Sequence, residues 1–306
     1  MSALLHEAPT HDPAPLEAHR IELTGFCYRM LASAFVAEDA VQETLLLASL
    51  HPDRFSRDTD RRVWLYRVAT TVCLDVLRGA LPRVLPTAAS GGPVPGQLVL
   101  PVPDDHVQDA GGDPETLRLP YVAALQQLPP RQRAALLLRD VAGLAVADVA
   151  EVLDTTASGA ASTLARARAA LAAAAPAAAE PARPDDPAQR ALLDRYRAAV
   201  EHDDVSALLA LLHDDVVVAM PPHEWSVRGR AAAREVLLAA RRPGRVVRLV
   251  PTVANGSPAF WQTAAAVRGG VHEPEALIVV DIADGAITGI TTFLDGPRLL
   301  TLFAYG

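Results

Sequence analysis

The 306-residue sequence contains no lysine, so all 28 basic side chains are arginine. Against 36 acidic residues, the formal net charge is −8. A protein that grips nucleic acid needs a basic face, so any such face here has to be local. There are only two cysteines, Cys27 and Cys73, both in helical patterns in one region. That excludes a disulfide framework and points to reduced thiols in a cytoplasmic protein. No apolar run approaches the length of a membrane span, so no membrane association is expected. The opening MSALLHEAPTHDP has no basic segment followed by an apolar core, so no secretory signal is expected either. No GxGxxG, P-loop, CxxC or HExxH pattern occurs. His213, Asp214 and Asp215 are contiguous, a poor spacing for shared metal ligation. Neither a metal nor a tightly bound cofactor is expected.

What is present is apolar content of 50% in a chain long enough for two or three domains. The most ordered pattern runs from Leu128 to Leu171. Pro129 and Pro130 stand where a first helical turn tolerates proline. Ala134 to Val141 reads as a leucine-rich helix broken by Gly143. Val146, Val149, Ala150 and Leu153 share one face of a short second helix. Asp154-Thr155-Thr156 supplies a turn and an N-cap. A third helix follows with Ala160, Leu164, Ala167 and Leu171 inward. Two short helices across a tight turn, the second with a polar outer face, follow the helix-turn-helix plan.

Upstream, residues 1–15 are polar and proline-containing and are expected to be disordered. Helices start near Glu17. Ile21, Leu23, Phe26, Cys27, Met30 and Leu31 form an apolar stripe, and Val41, Leu45 and Ala48 form another. Arg61 to Arg78 makes a further helix. Residues 81–114 alternate Pro and Gly and read as an extended linker. Residues 173–188, rich in Ala and Pro, read as a second linker. Beyond them the pattern changes: helices over 189–201 and 205–212, strand candidates over 215–220, 245–253, 259–267, 275–283 and 286–294, and a helix over 230–240. Asn255-Gly256 and Asp284-Gly285 are hairpin signals. The order implies an α+β unit, with helices packed on one face of a curved antiparallel sheet.

The segments AEDAVQETLLLA, RRVWLYRVATTVCLDVLR, VAALQQLPPRQRAALLLRDVAGLAVADVAEVLDT and STLARARAAL, in this order, resemble extracytoplasmic-function (ECF) sigma factors of bacterial RNA polymerase. DRYRAAVEHDDVSALLALLHDD, MPPHEWSVRGRAAAREVLL, VANGSPAFW and ITGITTFLDGPRLLTLFAYG are similar to the SnoaL-like extension that one group of these factors carries. The resemblance implies two all-α sigma-like domains and a conical α+β domain. Residues 16–80 would be domain two, which binds the polymerase clamp and opens the minus-ten element. Residues 115–172 would be domain four, whose helix-turn-helix reads the minus-thirty-five element. Residues 189–306 would be a SnoaL-like cone that packs on the sigma domains and tunes activity. RNA polymerase core and promoter DNA are the implied partners.

The implied polymerase-binding residues are Glu38, Asp39, Gln42 and Glu43. The DNA-binding candidates are Arg61, Arg62, Arg67 and Arg78 in domain two, and Ser158, Ser162, Thr163, Arg166 and Arg168 in domain four. Residues 1–80 hold eight arginines against eleven acids, and residues 115–175 hold six against five, so neither is a basic module. Base readout favours Arg, Lys, Asn or Gln; Ser158 and Ser162 are short, and Gly159 inside the helix costs about 1 kcal/mol relative to alanine. Trp64 favours the core over a base-stacking role. The chain also departs from the family pattern. Arg78 is followed by Gly-Ala-Leu-Pro instead of a run of arginines, and Leu47-Ala48-Ser49 stands where Arg-Ala-Trp is usual.

A second function is therefore kept beside sigma-type initiation. A sigma scaffold that no longer binds DNA would act through the cone, as a cyclase, an isomerase or a binding protein for a small apolar ligand. Such a pocket needs apolar walls and a carboxylate or imidazole with a shifted pKa. Asp281 and His223 lead as acid–base candidates, with Glu224, Trp225, Arg228 and Gln262 beside them.

Overall fold

A computed structural model describes residues 14–51, 58–79, 99–107, 111–174, 182–221, 226–240, 245–265 and 270–303. The first unit is helical: α1 (Ala14–Glu17), α2 (Arg20–Leu31), α3 (Ala34–Ser49) and α4 (Asp58–Arg78). Between α2 and α3 the chain reverses within two residues. Ala32 takes a left-handed conformation and donates to Tyr28 O at 2.7 Å, and the extended Ser33 caps α3 by accepting from the Val36 amide. The apolar stripes read in the sequence face one another. Phe26, Cys27 and Met30 of α2, Val41 and Leu45 of α3, and Tyr66, Ala69 and Cys73 of α4 are all buried.

The segment expected to be a spacer is part of the fold from Val99 onward. Val99, Val102 and Val107 are buried, Leu100 N–H donates to Ala32 O, and Pro103 bridges Ala254. The reason is compositional: the alternating VLPVP offers apolar side chains to a core, and its prolines bring no unpaired N–H. Residues 81–98 and 108–110 of the expected linker lie outside the described residues.

The second unit comprises α5 (Leu119–Gln126), α6 (Pro130–Leu136), α7 (Val146–Val152) and α8 (Ala157–Ala173). The expected single helix through Val141 changes pitch after Leu136. Leu137–Val141 is one wider π-type turn, with Ala142 N–H donating to Leu137 O. Gly143, at φ +72°, ends it. The two helical units share one core, and buried arginines join them. Arg133 of α6 donates to Leu125 O at 2.9 Å, to Gln126 O at 3.0 Å, to Leu128 O, and across the seam to Met30 O at the end of α2. It thus sits at the carbonyl ends of two helices, where the macrodipole favours a cation. Arg29 of α2 returns the link, donating to Thr116 Oγ1 and Gly111 O.

The third unit contains α9 (Pro187–Glu201), α10 (Val205–Leu209), α11 (Arg230–Ala240), α12 (Gly296–Phe303) and a six-stranded sheet. The strands are β1 (Leu212–Ala219), β2 (Ser226–Arg228), β3 (Val246–Ala254), β4 (Ser257–Ala265), β5 (Glu273–Ala283) and β6 (Ala286–Phe293), in the order β2-β1-β6-β5-β4-β3. The expected antiparallel sheet is mixed, because β1 runs parallel to β6. β1 comes first in the chain and joins the far end of the β3–β6 meander, so no hairpin dictates its direction. Alternation splits the sheet's apolar residues between two cores. Phe260, Ile278 and Val280 pack with Leu192 and Tyr196 of α9, while Trp261, Leu277, Val279 and Phe293 face α12 and the helical units. Among the described residues no helix is long and apolar enough to cross a membrane.

Candidate nucleic-acid interface

The turn between α7 and α8 is built by short polar side chains. Asp154 takes a positive φ, and the extended Thr156 accepts from the Gly159 amide at 3.1 Å. A Cβ on residue 159 would lie 2.6 Å from Thr155 Oγ1, so the two threonines that shape the turn exclude any side chain there. This close approach explains a glycine that helix propensity alone disfavours. Ala160, Leu164 and Ala167 are buried against α6 and α7, leaving Ser158, Ala161, Ser162, Ala165 and Arg166 exposed. Thr163 is half-buried and donates to Gly159 O, so its hydroxyl is committed to its own helix. Among the described residues, Arg166 donates to Thr163, at 3.4 Å. Arg168 is held by both oxygens of Asp140, which the wide turn after α6 presents to it.

The domain-two candidates on α4 are placed differently. Arg62 is half-buried; it donates to Glu22 Oε2 and to Ala142 O, both at 2.8 Å, and lies over the Tyr66 ring. Burial works against the Arg62 charge, but Tyr66 and Glu22 outweigh it and raise its pKa. Arg67 is exposed and 3.6 Å from Glu151 of α7. Arg78 pairs with Asp75 on its own helix. Arg61 and Trp64 are half-buried. Arg62 and Arg67 therefore both reach the second helical unit, Arg62 from a half-buried position and Arg67 from the surface.

On α3, Glu38, Asp39 and Gln42 are exposed and Glu43 is half-buried, and the same face continues through Leu46 and Leu50, which are 56% and 64% exposed. Sequence reasoning missed these two leucines. Their spacing, four and eight residues after Gln42, was the available signal.

Among the described residues, the acid–base candidates of the third unit do not gather. His223, Glu224 and Trp225 lie outside the described residues. Arg228 is exposed on the edge strand β2. Gln262 sits at a bulge and donates to Glu275. Asp281 follows Leu277 and Val279 on the face turned toward the helical units. It pairs with Gly289, where a Cβ would come within 2.7 Å of its carboxyl. Burial raises its pKa, opposed by the Arg118 charge and by a hydrogen bond from Ser257. The space between α9 and the sheet is occupied by Tyr196, Phe260, Ile278 and Val280. A cleft of about 470 Å³ does open between the end of α9 and α11, lined by His202, Asp203, Val205, Leu209, Arg234 and Leu238, none of them an acid–base candidate.

Comparison with known proteins gives these units their relatives. Residues 16–81 match Sigma-70 region 2, residues 118–171 match Sigma-70 region 4, and residues 193–290 match a SnoaL-like domain. The ECF RNA polymerase sigma factor SigG of Mycobacterium tuberculosis is 40% identical over 304 residues, covering 92% of this chain and 80% of SigG. The chain belongs to the ECF sigma factors. SigJ of the same organism is 31% identical over 200 residues, 65% of this chain and 62% of SigJ. The crystal structure of SigJ superimposes with a TM-score of 0.63 at 25% identity, covering 95% of this chain and 98% of that one. In this sigma factor, then, the region 2 match falls on the first helical unit and the region 4 match on the second, and the SnoaL-like match covers most of the third unit, from within α9 to within β6. Arg118, at the start of the region 4 match, is the cation beside Asp281 of the SnoaL-like unit.

Proposed function

We propose that the chain directs RNA polymerase core to promoters, and that the structure is its closed state. The observation that carries this reading is the contact of region 2 with region 4. α4 packs on α7, and α7 packs on α8. Helices in contact are separated by about 8–10 Å, so the reading helix α8 lies within roughly 20 Å of α4. Elements centred at minus ten and minus thirty-five are separated by about 25 base pairs, roughly 85 Å at ~3.4 Å per base pair. The closed chain does not span that distance. The two units must part, and parting frees Arg62 from Ala142 and Arg67 from Glu151, while Arg62 keeps Glu22 of its own unit.

Two faces need no opening. The outer side of α8 is already exposed, and so is the α3 face from Glu38 to Leu50. The acids and exposed leucines of α3 suit a polymerase surface that is basic at one end and apolar at the other. On α8, Arg166 positions the helix on phosphate, and the short Ser158 and Ser162 contribute little base discrimination. The SnoaL-like unit acts by packing on both sigma units, with its interior filled by its own side chains, rather than by acid–base chemistry.

The test is reconstitution of the full chain with core polymerase and a pool of promoter fragments. Transcripts with defined start sites that depend on this chain are the expected result. If no complex with core forms at micromolar concentrations, the sigma reading fails.

A further inference from the structure

Asn255 stands at the Asn-Gly tip of the β3–β4 hairpin, in the left-handed conformation (φ +56°), and is fully buried. Its side chain is bonded to three separate stretches of the chain. Nδ2 donates to the Tyr28 hydroxyl of region 2 at 2.6 Å, and to Leu117 O, the residue before the region 4 match begins, at 2.7 Å. Oδ1 accepts from the Val102 amide of the connecting segment at 3.0 Å, and the Asn255 N–H donates back to Val102 O. The Tyr28 hydroxyl in turn donates to Leu100 O. Next to it, Gly256 N–H donates to Asp104 Oδ1 at 2.8 Å.

Both donors and the acceptor of one carboxamide are thus used, each by a different covalent segment. If region 4 withdraws alone, Leu117 O is lost and one Nδ2 proton is left buried with no partner. If region 2 withdraws alone, the same happens on the Tyr28 side. A buried polar group stripped of its partner bears its full desolvation cost, which is larger than the net worth of the bond it had. Partial opening is therefore the disfavoured state. We propose that Asn255 makes opening concerted: region 2, region 4 and the SnoaL-like unit separate in one transition. This rests on the reading that the closed chain opens to bind polymerase, and adds the residue that couples the parts.

Two distances in the full chain test it. Ala18→Cys with Ala169→Cys places one fluorophore pair across regions 2 and 4. Ala18→Cys with Ala191→Cys places another across region 2 and the SnoaL-like unit. All three positions are exposed, while Cys27 and Cys73 are buried and stay unlabelled. Energy transfer is followed as core polymerase is added. In the wild-type background the two midpoints coincide. Asn255→Gly keeps the positive φ and removes the carboxamide, and it separates them: the second pair opens at about tenfold less polymerase, the effect of losing one to two neutral hydrogen bonds. Tyr28→Phe removes one arm and separates them less. Different midpoints in the wild type overturn the proposal, as do midpoints that stay together in both variants, wherever they fall. If core does not bind at all, the same pairs are followed through urea with the same criteria, so failure of the sigma reading and failure of the coupling are read separately.

Discussion

Replacing Arg133 with methionine removes a buried charge while nearly keeping its volume. The guanidinium is 4% exposed and serves five acceptors: the carbonyls of Met30, Leu125, Gln126 and Leu128, and the Gln126 side chain. Among the described residues no carboxylate bonds it, so backbone carbonyls and the Gln126 amide oxygen hold the charge in place. Burial accordingly lowers its pKa, to about 10. Two effects compete in the substitution. Methionine avoids the desolvation of a cation, which by itself makes apolar replacement of buried ions neutral or favourable. It also leaves buried carbonyls unbonded, at about 1–3 kcal/mol each where water cannot reach them. With five acceptors and one cation the second effect dominates, and a net loss of about 3–5 kcal/mol is expected. Thermal unfolding followed by circular dichroism then shows a fall of roughly 6–20 °C, at about 2–4 °C per kcal/mol for domains of 150–250 residues. Arg133→Lys keeps the charge but not the fork, and is expected to recover less than half of the loss. An Arg133→Met protein as stable as the wild type would refute the reasoning, because it would mean that burying the cation costs as much as its five bonds return.

Other expectations follow from the interface. Arg166→Ala weakens binding to all DNA sequences alike and reduces the slope of log affinity against log salt by about 0.9; fluorescence anisotropy over a salt series checks this, and an unchanged slope removes α8 from phosphate contact. Asp140→Asn releases Arg168 and tightens DNA binding uniformly in the same assay, the opposite sign being incompatible with the pairing described. Burial holds the carboxyls of Asp281 and Asp104 above the usual range, against Arg118 and Ser257 for the first and the Gly256 amide for the second, with Asp105 adding to the rise at Asp104. The docked state therefore binds these protons more tightly than the open state. Docking strengthens as pH falls through the window between the raised and the ordinary carboxyl values, and weakens above it. Urea midpoints of the Ala18–Ala191 pair are expected to rise as pH falls from neutral toward the ordinary carboxyl range, with a smaller rise in Asp281→Asn, which lacks one of the two raised carboxyls; an equal rise in both proteins excludes Asp281 from the effect.

Much of this architecture was legible from local pattern. Ala160, Leu164 and Ala167 lie inward as their spacing requires, Thr156 caps α8, and Asn255 and Asp284 take the positive φ that their Asn-Gly and Asp-Gly turns demand. What escaped depends on partners distant in sequence. Nothing in its local sequence marks Arg133 as buried; Met30, a hundred residues away, supplies one of its carbonyls. The segment from Val99 to Val107 reads as a spacer because its core belongs to other units. The direction of β1 is set by β6, more than seventy residues later, and α12 was hidden in an apolar run too short to separate from the strand before it. The DNA candidates came from the resemblance and from their places on the helices, and neither says which arginines the contact between the two helical units already occupies.

The seating of residues 99–102 against α2 also sets the length of a tether. Counted from the end of α4, 41 residues precede Leu119, and fully extended they would reach roughly 135 Å. With Leu100 bonded to Ala32 and Tyr28, the free path begins only near Val102, and the 17 residues from there to Leu119 reach at most roughly 60 Å. A short tether keeps the effective concentration of region 4 near region 2 high and pulls it back after each excursion. Unseating the segment lengthens the tether more than twofold, so the same few bonds that hold the units together also govern how far apart they can go once released.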